Sequence, residues 1–107
     1  MAEPAEVDQS RSGQSVRLEP GSELVVRLFE NPTAGFRWSV RSDGAPVVEL
    51  LESLAGPAGS LPGAGRDRRF RFRAREPGTA RLELAYARPW NESAPPASTF
   101  ELEIRVG

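Results

Sequence analysis

The chain has 107 residues, of which 38% are apolar and 27% charged, and this composition predicts one soluble globular domain. It contains no cysteine, histidine or lysine, which excludes disulfides, thiolate zinc sites, cysteine nucleophiles, histidine general bases and lysine Schiff bases. Because 14 arginines oppose 15 acidic residues, the net charge of −1 draws the protein towards neither nucleic acid nor an anionic membrane. The composition therefore argues against most enzymes, and we expect neither a cofactor nor a metal.

Residues 1–13 are polar and acidic, and we interpret them as a flexible segment that precedes a single domain at residues 14–107. They lack the basic start and apolar run of a secretory signal, and no stretch approaches the roughly 18 apolar residues of a membrane span. The sequence as written predicts a cytoplasmic protein. A secreted or periplasmic protein whose signal had been removed would look the same.

Apolar and polar residues alternate with period two from about residue 15 onward, which predicts seven strands. Six have clear inward faces, which in chain order are Val16 and Leu18; Leu24, Val26 and Leu28; Phe36, Trp38 and Val40; Phe70, Phe72 and Ala74; Ala80, Leu82, Leu84 and Tyr86; and Phe100, Leu102, Ile104 and Val106. The segment 47–54 also fits helical spacing, but it is short and lies between Pro46 and Gly56, which favours a strand. The pattern predicts an all-β, immunoglobulin-like antiparallel β-sandwich of seven or eight strands without a disulfide, with a closed barrel as the alternative.

Three connections are longer and less regular than the others: residues 30–35, 55–68 and 88–98. If each strand reverses the direction of the one before it, these three connections lie at the same end of the sandwich. A rigid sandwich that presents a cluster of loops at one end is the usual geometry of a binding face.

The first connection contains Asn31, Pro32, Thr33, Ala34 and Gly35. Proline fixes its own φ and extends the residue before it, and glycine permits a positive φ where the chain turns into the next strand. The result is a stiff, uncharged tip that can enter a partner's cleft without burying an unpaired charge. Read as structure alone, the same residues form an ordinary turn.

The other two connections each carry one compact motif. Arg88-Pro89-Trp90 combines two side chains enriched at binding hot spots with a stiff backbone, although Trp90 would serve equally well as a lid over the core. Gly63-Ala64-Gly65 would let the backbone approach another surface closely, or would simply make a long connection flexible. It lacks the third glycine of a dinucleotide-binding fingerprint.

Arg69, Arg71, Arg73 and Arg75 form a basic stripe, which we interpret as a solvated strand face. Glu83, Glu101 and Glu103 would neutralise part of it if their strands pair with it. Binding of single-stranded nucleic acid through the stripe is the weakest of the functional interpretations, so we expect no nucleic-acid partner and no membrane partner.

Taken together and in this order, the segment Asn31 to Trp38, which includes Phe36, the motif Gly63-Ala64-Gly65 and the motif Arg88-Pro89-Trp90 resemble the three signature loops of the chagasin family of cysteine protease inhibitors. The resemblance extends from about Ser15 to Val106. It implies an immunoglobulin-like fold and inhibition of papain-like enzymes. Thr33 would enter the catalytic centre, the segment from Gly63 to Arg66 would lie along one side of the cleft, and Arg88 with Trp90 would clamp the other.

The sequence departs from the family pattern at a few of these positions. Ala34 stands where the family often has a second threonine, Phe36 stands where tyrosine is common, and Arg66 replaces a third glycine. The expected function is reversible, non-covalent occlusion of a papain-like active site by a monomeric inhibitor that is not an enzyme. The alternative is a non-inhibitory immunoglobulin-like module that uses the same end to bind a protein or a carbohydrate.

Overall fold

A computed structural model of the chain describes residues 4–31, 35–55, 65–88 and 95–107. Within these ranges it contains one short 3₁₀ helix, Gln9–Arg11, and eight strands. The strands are β1 (Ala5–Val7), β2 (Gln14–Leu18), β3 (Glu23–Glu30), β4 (Arg37–Asp43), β5 (Val48–Ala55), β6 (Arg66–Ala74), β7 (Gly78–Ala87) and β8 (Ser98–Val106).

The strands form two four-stranded sheets, which confirms the predicted β-sandwich. One sheet has the order β1-β3-β6-β5 and the other the order β2-β8-β7-β4. Four of the strand pairs are antiparallel, as expected. The edge strands β1 and β2 instead run parallel to β3 and β8, so a purely antiparallel arrangement is wrong at these two edges. The chain reverses direction after β1 and again after β2, as predicted, but each reversal also moves the chain into the other sheet. Strands β1 and β2 therefore pair with β3 and β8, and not with each other.

The sandwich begins earlier than the predicted boundary at residue 14. Strand β1 pairs with β3, with Ala5 opposite Leu24 and Val7 opposite Val26, and the Val7 side chain is buried in the core. Asp8 accepts a hydrogen bond from the Ser10 N–H at 2.9 Å and caps the short helix that turns the chain towards β2. A three-residue strand with one buried apolar residue is too short for alternation to reveal it.

The core consists of the inward faces of both sheets, and the alternation in β3, β6, β7 and β8 matches the prediction. Strand β5 confirms that the ambiguous segment is a strand. Its register slips between Leu50 and Glu52, and this bulge explains why the apolar residues of β5 also fit helical spacing. In β4 only Trp38 is fully buried, whereas Phe36, just before the strand, and Val40 are half-buried.

The strand registers place the borders of all three irregular connections at one end of the sandwich, which we call the loop end. In the first sheet, Glu30 pairs with Arg66 and Ala55 pairs with Arg68. In the second sheet, Arg37 pairs with Ala87, and Tyr86 pairs with Ser98. The opposite end, which we call the far end, carries the short turns, including the one between β6 and β7.

Candidate functional site

The first connection is closed at its base by hydrogen bonds between its two flanking strands. The backbone N–H of Trp38 donates to Oε2 of Glu30 at 3.1 Å, and the indole Nε1 of Trp38 donates to the carbonyl oxygen of Phe29 at 2.8 Å. Gly35 has a φ of 84°, the left-handed conformation predicted for the turn into β4. The two strands that border the first connection are therefore bonded to each other at its base.

Glu30 is the buried carboxylate at this base, and its side chain is 0% exposed. Arg68 on β6 donates to it through Nε at 2.8 Å and through Nη2 at 3.2 Å, and Nε of Arg66 lies 3.8 Å from Oε1. Burial alone would raise the pKa of Glu30. The pKa is nevertheless held below its usual value, because the carboxylate accepts hydrogen bonds from Arg68 and the Trp38 N–H and lies near the positive charges of Arg68 and Arg66. The carboxylate is therefore ionised and joins the first connection to the strand that follows the second.

Tyr86 joins the first connection to the third. Its ring lies 5.3 Å from that of Phe36 and 5.0 Å from that of Trp38, and its hydroxyl accepts a hydrogen bond from the Asn31 N–H at 2.9 Å. The guanidinium carbon of Arg88 lies 4.7 Å from the centre of the Phe36 ring, which is a cation–π contact. Tyr86 lies just before the third connection and Arg88 is its first residue, so this aromatic stack aligns the start of the third connection with both sides of the first.

Gly65, at the end of the second connection, is required by a contact within the chain. It has a φ of 70°, and a Cβ at this position would lie only 2.7 Å from Cε2 of Phe29 and 2.9 Å from the carbonyl oxygen of Glu30. The Phe29 ring is 59% exposed and covers the glycine backbone. The close approach predicted for the glycine motif is therefore observed at Gly65, but the surface it approaches belongs to β3 of the same chain.

The structure describes six of the thirteen predicted site residues and brings them together at the loop end: Asn31, Gly35, Phe36, Gly65, Arg66 and Arg88. The others lie outside the described residues: Pro32, Thr33, Ala34, Gly63, Ala64, Pro89 and Trp90.

Glu30 and Arg68 lie outside the predicted site residues, although the sequence carries a signal for their pairing. Period two through Leu24, Val26 and Leu28 places Glu30 on the inward face of β3, where an unpaired charge is costly. The same period, followed back from Phe70, places Arg68 inward on β6. Two opposite charges at inward positions of different strands indicate a buried ion pair.

Arg71, Arg73 and Arg75 of the arginine stripe are paired with carboxylates, but not with the predicted glutamates. Glu83, Glu101 and Glu103 lie on β7 and β8, in the other sheet, so that expectation is wrong. Strand β6 pairs instead with β3 and β5, and the carboxylates of those strands flank it. The ion pairs are Arg71–Glu23, Arg73–Glu23, Arg71–Glu52 and Arg75–Glu49. These three arginines are partly exposed as well as paired, which agrees with the interpretation of the stripe as a solvated strand face.

In the part of the chain that the structure describes, no group of three or more acidic, histidine or cysteine side chains is arranged to hold a metal ion. Across the same residues, no helix is long and apolar enough to cross a bilayer. The chemistry available at the described loop end is that of a rigid surface with aromatic, guanidinium and backbone amide groups.

Comparison with known proteins identifies the family. The model of the Chagasin family peptidase inhibitor I42 matches residues 17–104. Chagasin from Trypanosoma cruzi is 24% identical over 105 residues, which cover 94% of this chain and 96% of chagasin.

Two solved structures share the fold. The crystal structure of the cysteine protease inhibitor EhICP2 from Entamoeba histolytica superposes with a TM-score of 0.83 at 14% identity, covering 96% of this chain and 94% of that one. PbICP-C, solved in complex with falcipain-2, superposes with a TM-score of 0.62 at 17% identity, covering 98% and 92% of the two chains. With a family match that spans most of the sandwich, the chain belongs to the chagasin family of peptidase inhibitors.

Proposed function

We propose that the loop end of this protein reversibly occludes the active-site cleft of papain-like cysteine proteases. Inhibition of cysteine proteases is the activity that its family indicates, and the similar fold of PbICP-C, solved with falcipain-2, supports a protease as the partner. The single observation that carries the proposal is that the strands bordering the three connections are bonded to one another at the loop end. Glu30, at the end of β3, is bonded to Arg68 near the start of β6, and Tyr86, near the end of β7, is bonded to Asn31 at the start of the first connection.

This geometry suits inhibition without chemistry. Binding to a cleft costs free energy whenever loops must be ordered, and loops whose bases are already bonded lose less entropy on docking. The tip sequence Pro32-Thr33-Ala34 carries no charge, so its burial leaves no ion unpaired. We propose a non-covalent, one-to-one complex in which the loops press against the catalytic residues without presenting a peptide bond to them for cleavage, so the inhibitor is released intact.

The test is a titration of papain and of a cathepsin L-like enzyme with the wild-type protein and two matched variants. Thr33→Arg places a charge at the predicted tip and should weaken inhibition at least tenfold, because the cleft would bury that charge unpaired. Thr79→Arg makes the same chemical change at an exposed position of β7 near the far end and should leave inhibition unchanged. Melting temperatures establish that both variants are folded.

Two outcomes would overturn the proposal. The first is a folded wild-type protein that inhibits neither enzyme at micromolar concentration, which would favour the alternative of a non-inhibitory binding module. The second is an inhibitor that mass spectrometry finds cleaved or covalently attached to the enzyme after incubation. Equal inhibition by Thr33→Arg and the wild type would remove the first connection from the binding face.

A further inference from the structure

We propose that Glu30 is a positioning residue for the inhibitory face, holding the first and second connections in the relative placement in which they bind a protease. This inference rests on the proposed function, but it concerns a residue outside the predicted contact motifs. Glu30 is fully buried and therefore does not touch the enzyme itself. Its effect would pass through the two connections whose bases it joins.

The geometry makes Glu30 a junction between the two sheets. It belongs to β3, in one sheet, and accepts a hydrogen bond from the backbone N–H of Trp38 on β4, in the other sheet. The same carboxylate accepts two hydrogen bonds from Arg68, three residues after Gly65. One side chain therefore sets both the width of the first connection at its base and its distance from the end of the second.

The charges around Glu30 show why its ionised form is needed. The carboxylate faces Arg68 and Arg66, whose side chains are only 16% and 25% exposed. Arg68 also donates to Oγ of Ser53 on β5, a neutral group. Among the described residues, Glu30 is the anion that contacts both arginines. Replacing Glu30 with glutamine would preserve the shape of the side chain but remove the negative charge between Arg68 and Arg66. The two guanidinium groups would then move apart towards solvent and pull the second connection away from the first.

A positioning role has a distinct kinetic signature. If the loops of a variant occupy the binding arrangement only part of the time, association slows in proportion to that fraction. Once bound, the complex has the same contacts, so its dissociation rate is unchanged. Loss of a direct contact would do the opposite, since it acts mainly on dissociation. We expect Glu30→Gln to slow association about tenfold and to leave dissociation within about twofold of the wild type.

Glu23 provides a matched control. It lies on the same strand, seven residues earlier, and its carboxylate also bridges two arginines of β6, Arg71 and Arg73, at 3.2 and 3.1 Å. This bridge lies near the far end. Glu23→Gln therefore removes the same charge from the same pair of strands, and we expect both rate constants to match those of the wild type.

The double variant Glu30→Gln/Arg68→Met separates positioning from stability. It removes Arg68, the more buried of the two cations, together with the anion, so only the more exposed Arg66 keeps an unpaired charge, and glutamine can still accept the Trp38 N–H. We expect its melting temperature to recover towards that of the wild type while association remains slow, because the link to β6 is gone. Recovery of the wild-type association rate would show that Glu30 serves stability only and would overturn the inference.

A second measurement does not depend on inhibition. Amide hydrogen exchange at Asn31, whose N–H is bonded to Tyr86 and not to Glu30, should accelerate in Glu30→Gln and remain at the wild-type rate in Glu23→Gln. Equal protection in the two variants would overturn the inference even if the wild type inhibits strongly. Absence of inhibition by the wild type would instead defeat the proposed function, and the exchange rates would then decide the positioning role by themselves.

Discussion

Substitution of Gly65 by alanine tests how the second connection is joined to β3. Gly65 has a φ of 70°, and the space for a side chain is occupied by the Phe29 ring and by the carbonyl oxygen of Glu30. The ring is exposed and can rotate away, but the carbonyl belongs to the backbone of β3, where its strand pairing holds it. An added Cβ must therefore shift the backbone at the loop end.

The expected cost follows from two contributions. An L-residue in the left-handed conformation costs roughly 1–2 kcal/mol, and crowding against a packed backbone adds about 1 kcal/mol. Alanine also restricts the unfolded chain, which returns about 0.5 kcal/mol. The variant should therefore lose about 2 kcal/mol of unfolding free energy, measured by urea denaturation.

Gly21→Ala separates the cost of the left-handed backbone conformation from the cost of crowding. Its φ is 88°, but nothing lies within 4 Å of where its Cβ would be. Gly21→Ala should therefore show only the conformational cost, about 1 kcal/mol. A Phe29→Ala/Gly65→Ala double variant should recover little of the difference, because the ring can rotate away in any case and the carbonyl oxygen remains. If Gly65→Ala is no more destabilising than Gly21→Ala, the packing of β3 against Gly65 does not constrain the loop end.

Three further predictions concern the same end of the molecule. Tyr86→Phe removes the hydroxyl that accepts a hydrogen bond from the Asn31 N–H and should lower the free energy of unfolding in urea by about 1 kcal/mol; an unchanged value would mean that this bond is absent in solution. Because folding lowers the pKa of Glu30 from its usual 4.5, its ionised form stabilises the fold above that pH, and this stability is lost as the pH falls through the lower folded value. Between about pH 6 and pH 3, the free energy of unfolding measured in urea should therefore fall more steeply in the wild type than in Glu30→Gln. The same pH dependence in both proteins would contradict this prediction. Trp90→Ala should weaken inhibition by about 2 kcal/mol with an unchanged melting temperature; a collapse of the melting temperature would make Trp90 a core lid.

Much of the fold is predictable from the sequence because its strands are long and regular. In β3, β6, β7 and β8 the inward residues follow period two for at least two repeats, as Phe100, Leu102 and Ile104 show. Strand β1 escapes prediction because only Val7 is buried within it. The parallel pairing of β2 with β8 escapes for another reason: it joins residues about 88 positions apart, and no local pattern specifies which distant strand is the neighbour.

The candidate site is predictable in its placement and less so in its internal bonding. Strand parity correctly places the borders of the three connections at one end. What holds those borders together depends on Glu30 and Arg68, which lie outside the contact motifs and are separated by 38 residues. The wrong partners predicted for the arginine stripe have the same cause, since Glu23 and Glu49 become its neighbours only once β6 is inserted between β3 and β5.

The last strand also determines how the protein can be handled. Strand β8 starts at the loop end and runs to the far end, where Val106 pairs with Gly78 and the Gly107 N–H donates to the Leu18 carbonyl oxygen at 3.1 Å. At about 3.4 Å per residue, Gly107 lies about 30 Å from the beginning of that strand. A tether or affinity tag fused after Gly107 would therefore point away from an enzyme docked at the loop end. Immobilisation on a sensor chip through such a tag would present the inhibitory face to the solution unobstructed.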